Sequence, residues 1–141
     1  MADDDSDDRM MTQAAMQENR LVNDLHFVED GVALMEYLRR EGEYQDPEKS
    51  PRPGLILLDL NMPRKDGREV LTELKADASL RSIPVVVLTT SRAEEDILRS
   101  YDLGVSSFIT KPVSFDGLVE AMKVFGKYWL EIVELPPSGG F

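Results

Sequence analysis

This sequence predicts an α/β fold, doubly wound around a parallel sheet. Three observations carry that expectation. Short continuous apolar runs, such as Leu55-Ile-Leu-Leu58 and Pro84-Val-Val-Val-Leu88, have the length and make-up of strands buried on both faces. Segments with helical apolar spacing separate those runs. The runs end in acidic or hydroxyl residues, Asp59 and Thr89 among them, as strands do when chemistry sits at their carboxyl ends. Strand and helix in alternation, joined by right-handed crossovers, give this architecture.

The elements follow in order. Met1 and Ala2 precede the acidic run Asp3-Asp4-Asp5-Ser6-Asp7-Asp8. A helix is predicted over 9–19, behind acids that complement its dipole. Leu25-His-Phe-Val-Glu29 is β-prone, and 31–40 is helical with Leu34, Met35 and Leu38 on one face. The stretch 43–54, EYQDPEKSPRPG, reads as a surface loop. Leu55 to Asp59 is a strand, and Asn61-Met-Pro-Arg-Lys-Asp-Gly67 a turn. The helix over 67–76 groups Val70, Leu71 and Leu74. Pro84 to Thr89 is a strand whose proline stands only at its first position. A fourth helix over 92–103 carries Ile97, Leu98 and Tyr101, and Ser107 to Thr110 is a fourth strand, the fifth when the chain start is counted. A fifth and longest helix runs from 115 to about 133, with Leu118, Met122, Phe125, Trp129 and Ile132 in register. The domain is expected over 1–133, and the tail over 134–141, ending PPSGGF, should fray.

Composition excludes several classes. With 27 acids and 16 bases the net charge is −11. That balance disfavours nucleic acid and anionic membranes, which need Lys/Arg surfaces. No Cys is present, so disulfides, thiolate zinc sites and cysteine nucleophiles are out. Hydrophobic residues make up 42% and charged residues 30%, as in a globular domain. The 141 residues leave room for one core and none for a fused DNA-binding module. No apolar run is long enough to span a membrane, and the acidic start is unlike a signal peptide. A cytoplasmic location is expected.

The chemistry gathers at the strand ends. The start of the chain offers Asp3, Asp4 and Asp5, and the later strands end in Asp59, in Thr89-Thr90 and in Lys111-Pro112. On parallel neighbours these side chains converge on one rim. Carboxylates that close repel unless a cation binds, and an oxygen-rich set of this kind suits Mg²⁺. An aspartate flanked by a divalent ion and a lysine can act as the nucleophile of phosphoryl transfer. The acidic run is not an EF-hand, because no Gly stands at its sixth position and Ala14 stands where the last Glu is needed. Asp5, Asp7 and Asp8 read as a solvated charge run or as acids at a frayed helix N-terminus. No phosphate-binding G-x-x-x-x-G-K-[ST] occurs. The single His26 lies in a β-prone run and points to no His chemistry.

These pieces in this order resemble the receiver domain of two-component response regulators: Asp3-Asp4, Leu57-Leu-Asp59-Leu-Asn61-Met-Pro63 with Asp66-Gly67, Leu88-Thr89-Thr90-Ser91 and Lys111-Pro112. The stretches Ser100-Tyr-Asp-Leu-Gly104, Phe108-Ile-Thr-Lys-Pro112, Tyr128-Trp-Leu130 and Leu135-Pro136 resemble the single-domain receivers that partner bacterial phytochrome kinases. The resemblance implies a flavodoxin-like sheet of order 2-1-3-4-5. It implies that Asp59 is the phosphoacceptor for a sensor histidine kinase. Mg²⁺ would be held by Asp4, Asp59 and the Asn61 carbonyl, with Asp3 acting through a water. Lys111 would pair with Asp59 and then with a phosphoryl oxygen, and Thr89 would bond another. Thr89 and Phe108 would be the switch residues, and Pro112 would follow a cis peptide. The protein would then be a phosphorylation-controlled switch and not an enzyme acting on other substrates.

Two other readings stay open. An aspartyl-phosphate hydrolase of the haloacid dehalogenase type has Asp-x-Asp after the strand, where this chain has Asp59-Leu-Asn61. An interaction module that keeps the fold but is not phosphorylated would be favoured by a missing acid, Thr or Lys, and none is missing; the short front of the chain is the argument for it. The resemblance also makes the first strand central, yet Met1-Ala2-Asp3 supplies only a stub. The expectation is that Met1 lies inside a natural strand whose beginning is truncated here. The stub should still sit between the Leu25 and Leu55 strands. Finally, the apolar row Phe125, Trp129, Ile132, Val133 and Leu135 predicts a two-fold dimer through the fourth helix, fifth strand, fifth helix and tail.

Overall fold

In the computed structural model, residues 1–19, 25–60, 62–89, 105, 107–110 and 114–127 are described, with 89, 107, 108 and 110 described in their backbone alone. Strand β1 spans Ile56–Asp59, β2 Val85–Thr89 and β3 Ser107–Thr110. They form a parallel sheet in the order β1-β2-β3. Ala2 adds a central slot beyond β1. It bridges Leu58 on one side and Val28 on the other, both in parallel sense. Across the sheet the order is therefore Val28, Ala2, β1, β2, β3, which is the 2-1-3-4-5 arrangement.

Among the described residues, four α-helices cover the sheet: α1 Ser6–Glu18, α2 Gly31–Arg39, α3 Gly67–Ala76 and α4 Phe115–Phe125. A short 3₁₀ turn, Gly42–Tyr44, follows α2. Each α-helix starts on a side chain that accepts a backbone N–H: Asp5, Asp30, Asp66 and Ser114. Such caps stabilise by about 1 kcal/mol each.

The strands alternate between two cores. Ile56, Leu58, Val85 and Val87 pack with Leu34, Leu38, Val70 and Leu74 of α2 and α3. Leu57 and Val86 pack with Ala15 and Met16 of α1 and with Met122 and Phe125 of α4. Both faces of the central strands are thus buried, which is why they read as unbroken apolar runs.

Several boundaries differ from expectation. Leu25–Glu29 is not a strand; its ladder contact is the single bridge at Val28. The reason is its partner's length, since Met1 to Asp3 meets this run through three bonds, the Met1 ammonium to His26 O (2.7 Å), Val28 N–H to Met1 O (3.0 Å) and Asp3 N–H to Val28 O (3.1 Å), too few for a ladder. Helix α1 begins at Ser6 and not at Arg9, because Asp5 already receives the N–H groups of Asp7 (2.8 Å) and Asp8 (3.3 Å). Phe125 was expected in an apolar row needing outside cover, but it is 4% exposed within the α1–α4 core. The predicted helix over 92–103 and the residues from 128 onward lie outside the described residues.

Candidate functional site

Asp59 is the last residue of β1 and is 3% exposed. Its backbone N–H donates to the Ala2 carbonyl at 2.9 Å, and Ala2 N–H donates to Leu57 O at 2.8 Å. This pairing fixes the register of the chain start against β1. It places Asp3 and Asp4 beside the end of the strand.

Asp3 is fully buried, while Asp4 is exposed. The Asp3 Oδ1 accepts the Asp5 N–H at 3.0 Å. Its carbonyl accepts a bond from Arg9 Nη1 at 2.7 Å, so α1 holds the acidic stub by its main chain. One carboxylate oxygen from each of Asp3, Asp4 and Asp59 lies within 4.8 Å of the others. A unit-charge pair at that separation repels by about 3 kcal/mol at an effective dielectric constant of about 20. The effect is smaller where Asp4 faces solvent. A small divalent cation relieves the repulsion, and a set of hard carboxylate oxygens fits one such as Mg²⁺.

The neighbouring strands bring further expected residues to the same end. Asp59 is level with Leu88, and Thr89 with Thr110, so Asp59 and Thr89 close adjacent strands. Phe108 is level with Val87 in the ladder. The side chains of Thr89 and Phe108, and all of Asn61, Thr90, Lys111 and Pro112, lie outside the described residues. Of the two readings of the other acids, the helix N-terminus holds: Asp5 is the N-cap of α1, and Asp7 and Asp8 lie in its first turn.

One part of the neighbourhood was not foreseen. After Asp59 the chain returns to α3 through a loop closed by Gly67 N–H to Leu60 O at 2.9 Å. Arg64 in this loop pairs with Asp30, the N-cap of α2. Asp30 before a helix is legible as a cap, but nothing in the sequence ties it to a residue 34 positions away.

Comparison with known proteins places these features. The family of response regulator receiver domains matches residues 1–123. Response regulator Rcp1 of Synechocystis sp. is 43% identical over 138 residues, covering 98% of this chain and 92% of that protein. The crystal structure of the phosphorylated cyanobacterial phytochrome response regulator RcpA superposes with a TM-score of 0.85 at 45% identity, covering 96% of this chain and 95% of that one. The Mn²⁺-bound form of Rcp1 superposes with a TM-score of 0.83 at 43% identity, covering 96% of each chain.

Proposed function

The chain belongs to the response regulator receiver domain family of two-component signalling, and from that membership we propose that Asp59 accepts a phosphoryl group from a phosphohistidine of a partner sensor kinase. One observation carries the reading: the carboxylates of Asp3, Asp4 and Asp59 meet at the carboxyl end of β1. In the transfer an Asp59 oxygen forms the new O–P bond as the N–P bond of the phosphohistidine breaks; the bonding pair stays on the ring nitrogen, and the ring, already protonated at its other nitrogen, leaves as neutral imidazole. Asp59 is buried and held by its backbone, so its oxygen is presented with little freedom to lose.

In this reading Mg²⁺ is held by Asp4, Asp59 and the Asn61 carbonyl, with Asp3 behind a water. Such an ion offsets charge on the phosphoryl oxygens. Lys111 and Thr89 are the other groups for those oxygens, and Thr89 with Phe108 carries the change to the partner-binding surface. The chain catalyses only its own phosphorylation and dephosphorylation. The likeness to Rcp1 and RcpA supports a bacteriophytochrome as the kinase.

The same reading takes 1–133 as the receiver and 134–141 as its tail, and a cytoplasmic location. Among the described residues no helix is long and apolar enough to cross a membrane. It also includes a homodimer through 92–103, 107–110, the last helix and the tail. With Phe125 buried, the dimer rests on Trp129, Ile132, Val133 and Leu135 of the sequence.

The test is transfer from an autophosphorylated bacteriophytochrome kinase in Mg²⁺, following label lost from the kinase and gained by this chain. Label gained by the wild type and not by Asp59→Asn is expected. A chain that accepts nothing from that kinase, yet reacts with a small phosphodonor, keeps its phosphoacceptor and loses this partner.

A further inference from the structure

Between the end of β1 and the start of α3 the chain makes a sharp excursion. Lys65 N–H donates to Pro63 O at 2.7 Å, closing a three-residue turn around Arg64. Arg64 has φ 64, so a positive-φ residue with a full side chain stands at the centre. A turn of that kind is rare and strained, and such strain persists only where the surroundings over-determine it.

The surroundings do so from two sides. Arg64 Nε lies 3.0 Å from one Asp30 oxygen, and Arg64 Nη2 donates to the other at 3.0 Å. This is the bidentate geometry that lysine cannot reproduce. The Asp30 side chain is 15% exposed and also accepts the Ala33 N–H at 2.8 Å, which ties it to the first turn of α2. The Lys65 carbonyl sits so near Gly31 that a Cβ there would lie 2.1 Å from its oxygen. The Lys65 ammonium pairs with Glu73 of α3.

We propose that Arg64, clamped to Asp30, is a positioning residue for the site. It sets the backbone that leads from Asp59 to α3 by holding the strained Pro63–Lys65 turn against α2. The inference rests on the reading of Asp3, Asp4 and Asp59 as a divalent metal site. Arg64 touches neither metal nor phosphoryl group and acts through the loop. Supports of this kind, one shell out from a metal, change its affinity without ligating it.

The experiment measures Mn²⁺ binding by the full chain, read by the loss of free-ion paramagnetic signal, together with amide hydrogen exchange across 60–67. Exchange needs no metal and reads the clamp itself. Arg64→Ala should speed exchange at Lys65 and weaken Mn²⁺ about tenfold, the lower end of what losing an outer support costs a metal site. Asp30→Asn keeps an oxygen for the α2 cap and removes the charge, so it should weaken Mn²⁺ in the same direction. The double variant should be no worse than the stronger single one, because the two residues act as one unit. Arg64→Lys should fall between Arg64→Ala and the wild type. Unchanged exchange at Lys65 overturns the proposal. So does faster exchange with unchanged Mn²⁺ affinity, since the pair would then serve stability alone. A wild-type chain that binds no Mn²⁺ overturns the metal reading beneath it, whatever exchange shows.

Discussion

Asp59 donates its backbone N–H to the carbonyl of Ala2 at 2.9 Å, and with Ala2 N–H to Leu57 O at 2.8 Å this bond sets the acidic stub beside the end of the central strand. Ala2 is fully buried between Val28 and Leu58. Any slip of the stub by one residue would turn its side chains to the other face. The cluster of Asp3, Asp4 and Asp59 is therefore a consequence of strand register.

Metal should stabilise the fold. The three carboxylates lie within 4.8 Å of one another, so Mg²⁺ binding to the folded chain is linked to unfolding. At a hundredfold excess over Kd the gain is about 2.7 kcal/mol. Thermal melting in Mg²⁺ against EDTA should show an upward shift that Asp4→Ala removes. Asp4 is exposed, so that variant should lose the shift while keeping its fold in EDTA. A shift that survives Asp4→Ala would place the ion elsewhere.

Gly67→Ala should destabilise. A Cβ there would stand 2.8 Å from the Leu60 Cα and 3.0 Å from the Asp59 carbonyl oxygen, both main chain that cannot rotate away. Alanine gains at most about 1 kcal/mol in helix propensity. Overpacking against fixed atoms costs about 1–3 kcal/mol, so the clash wins. Urea unfolding should show a lower midpoint with an unchanged slope. A midpoint equal to the wild type would mean that the β1–α3 junction is loose.

Asp5→Ala should cost about 1 kcal/mol through loss of the α1 cap. The Asp3 contact to the Asp5 main chain survives this change, because the donor is the backbone N–H. Lower stability with Mg²⁺ affinity kept is the expected pair of results from urea unfolding and metal titration. A loss of metal affinity as large as that of Asp4→Ala would make Asp5 a ligand and not a cap.

Stability should fall at high pH through Tyr44. Burial is the main cause that pushes its hydroxyl from 10.0 up to about 12, with Glu43, Glu36 and Asp30 adding to it. Between those values the unfolded chain has lost the proton and the folded chain still holds it. Fewer protons on the unfolded state mean that stability declines as pH rises through the window. Tyr44→Phe should flatten that decline in urea midpoints measured across the range. An identical decline in the variant would assign it to other groups.

Much of this was legible in the residues. Leu57, Leu58, Val86 and Val87 read as strands because both faces of the sheet are covered. Asp59 was legible as a site residue because it ends such a strand, and Asp3 and Asp4 because they share its rim. What stayed hidden depends on partners distant in sequence. The Leu25 run looks like a strand by propensity, yet strand formation needs a neighbour's backbone, and Ala2 supplies a single bridge. The Arg64 turn uses a residue that gives no local sign of positive φ, because Asp30 of another element holds it there. Phe125 continues a helical apolar row that α1 covers, and its periodicity alone could not say whether the cover came from within.

The central claim is that Asp59 receives the phosphoryl group at a site built with Asp3 and Asp4. Intact mass after incubation with a small phosphodonor tests it most directly, with Mg²⁺ or EDTA, on the wild type and on Asp59→Asn. One added phosphoryl group on the wild type, dependent on Mg²⁺ and absent from Asp59→Asn, is the expected result. Equal labelling of Asp59→Asn, or a phosphoryl group mapped to Asp4, would contradict the account.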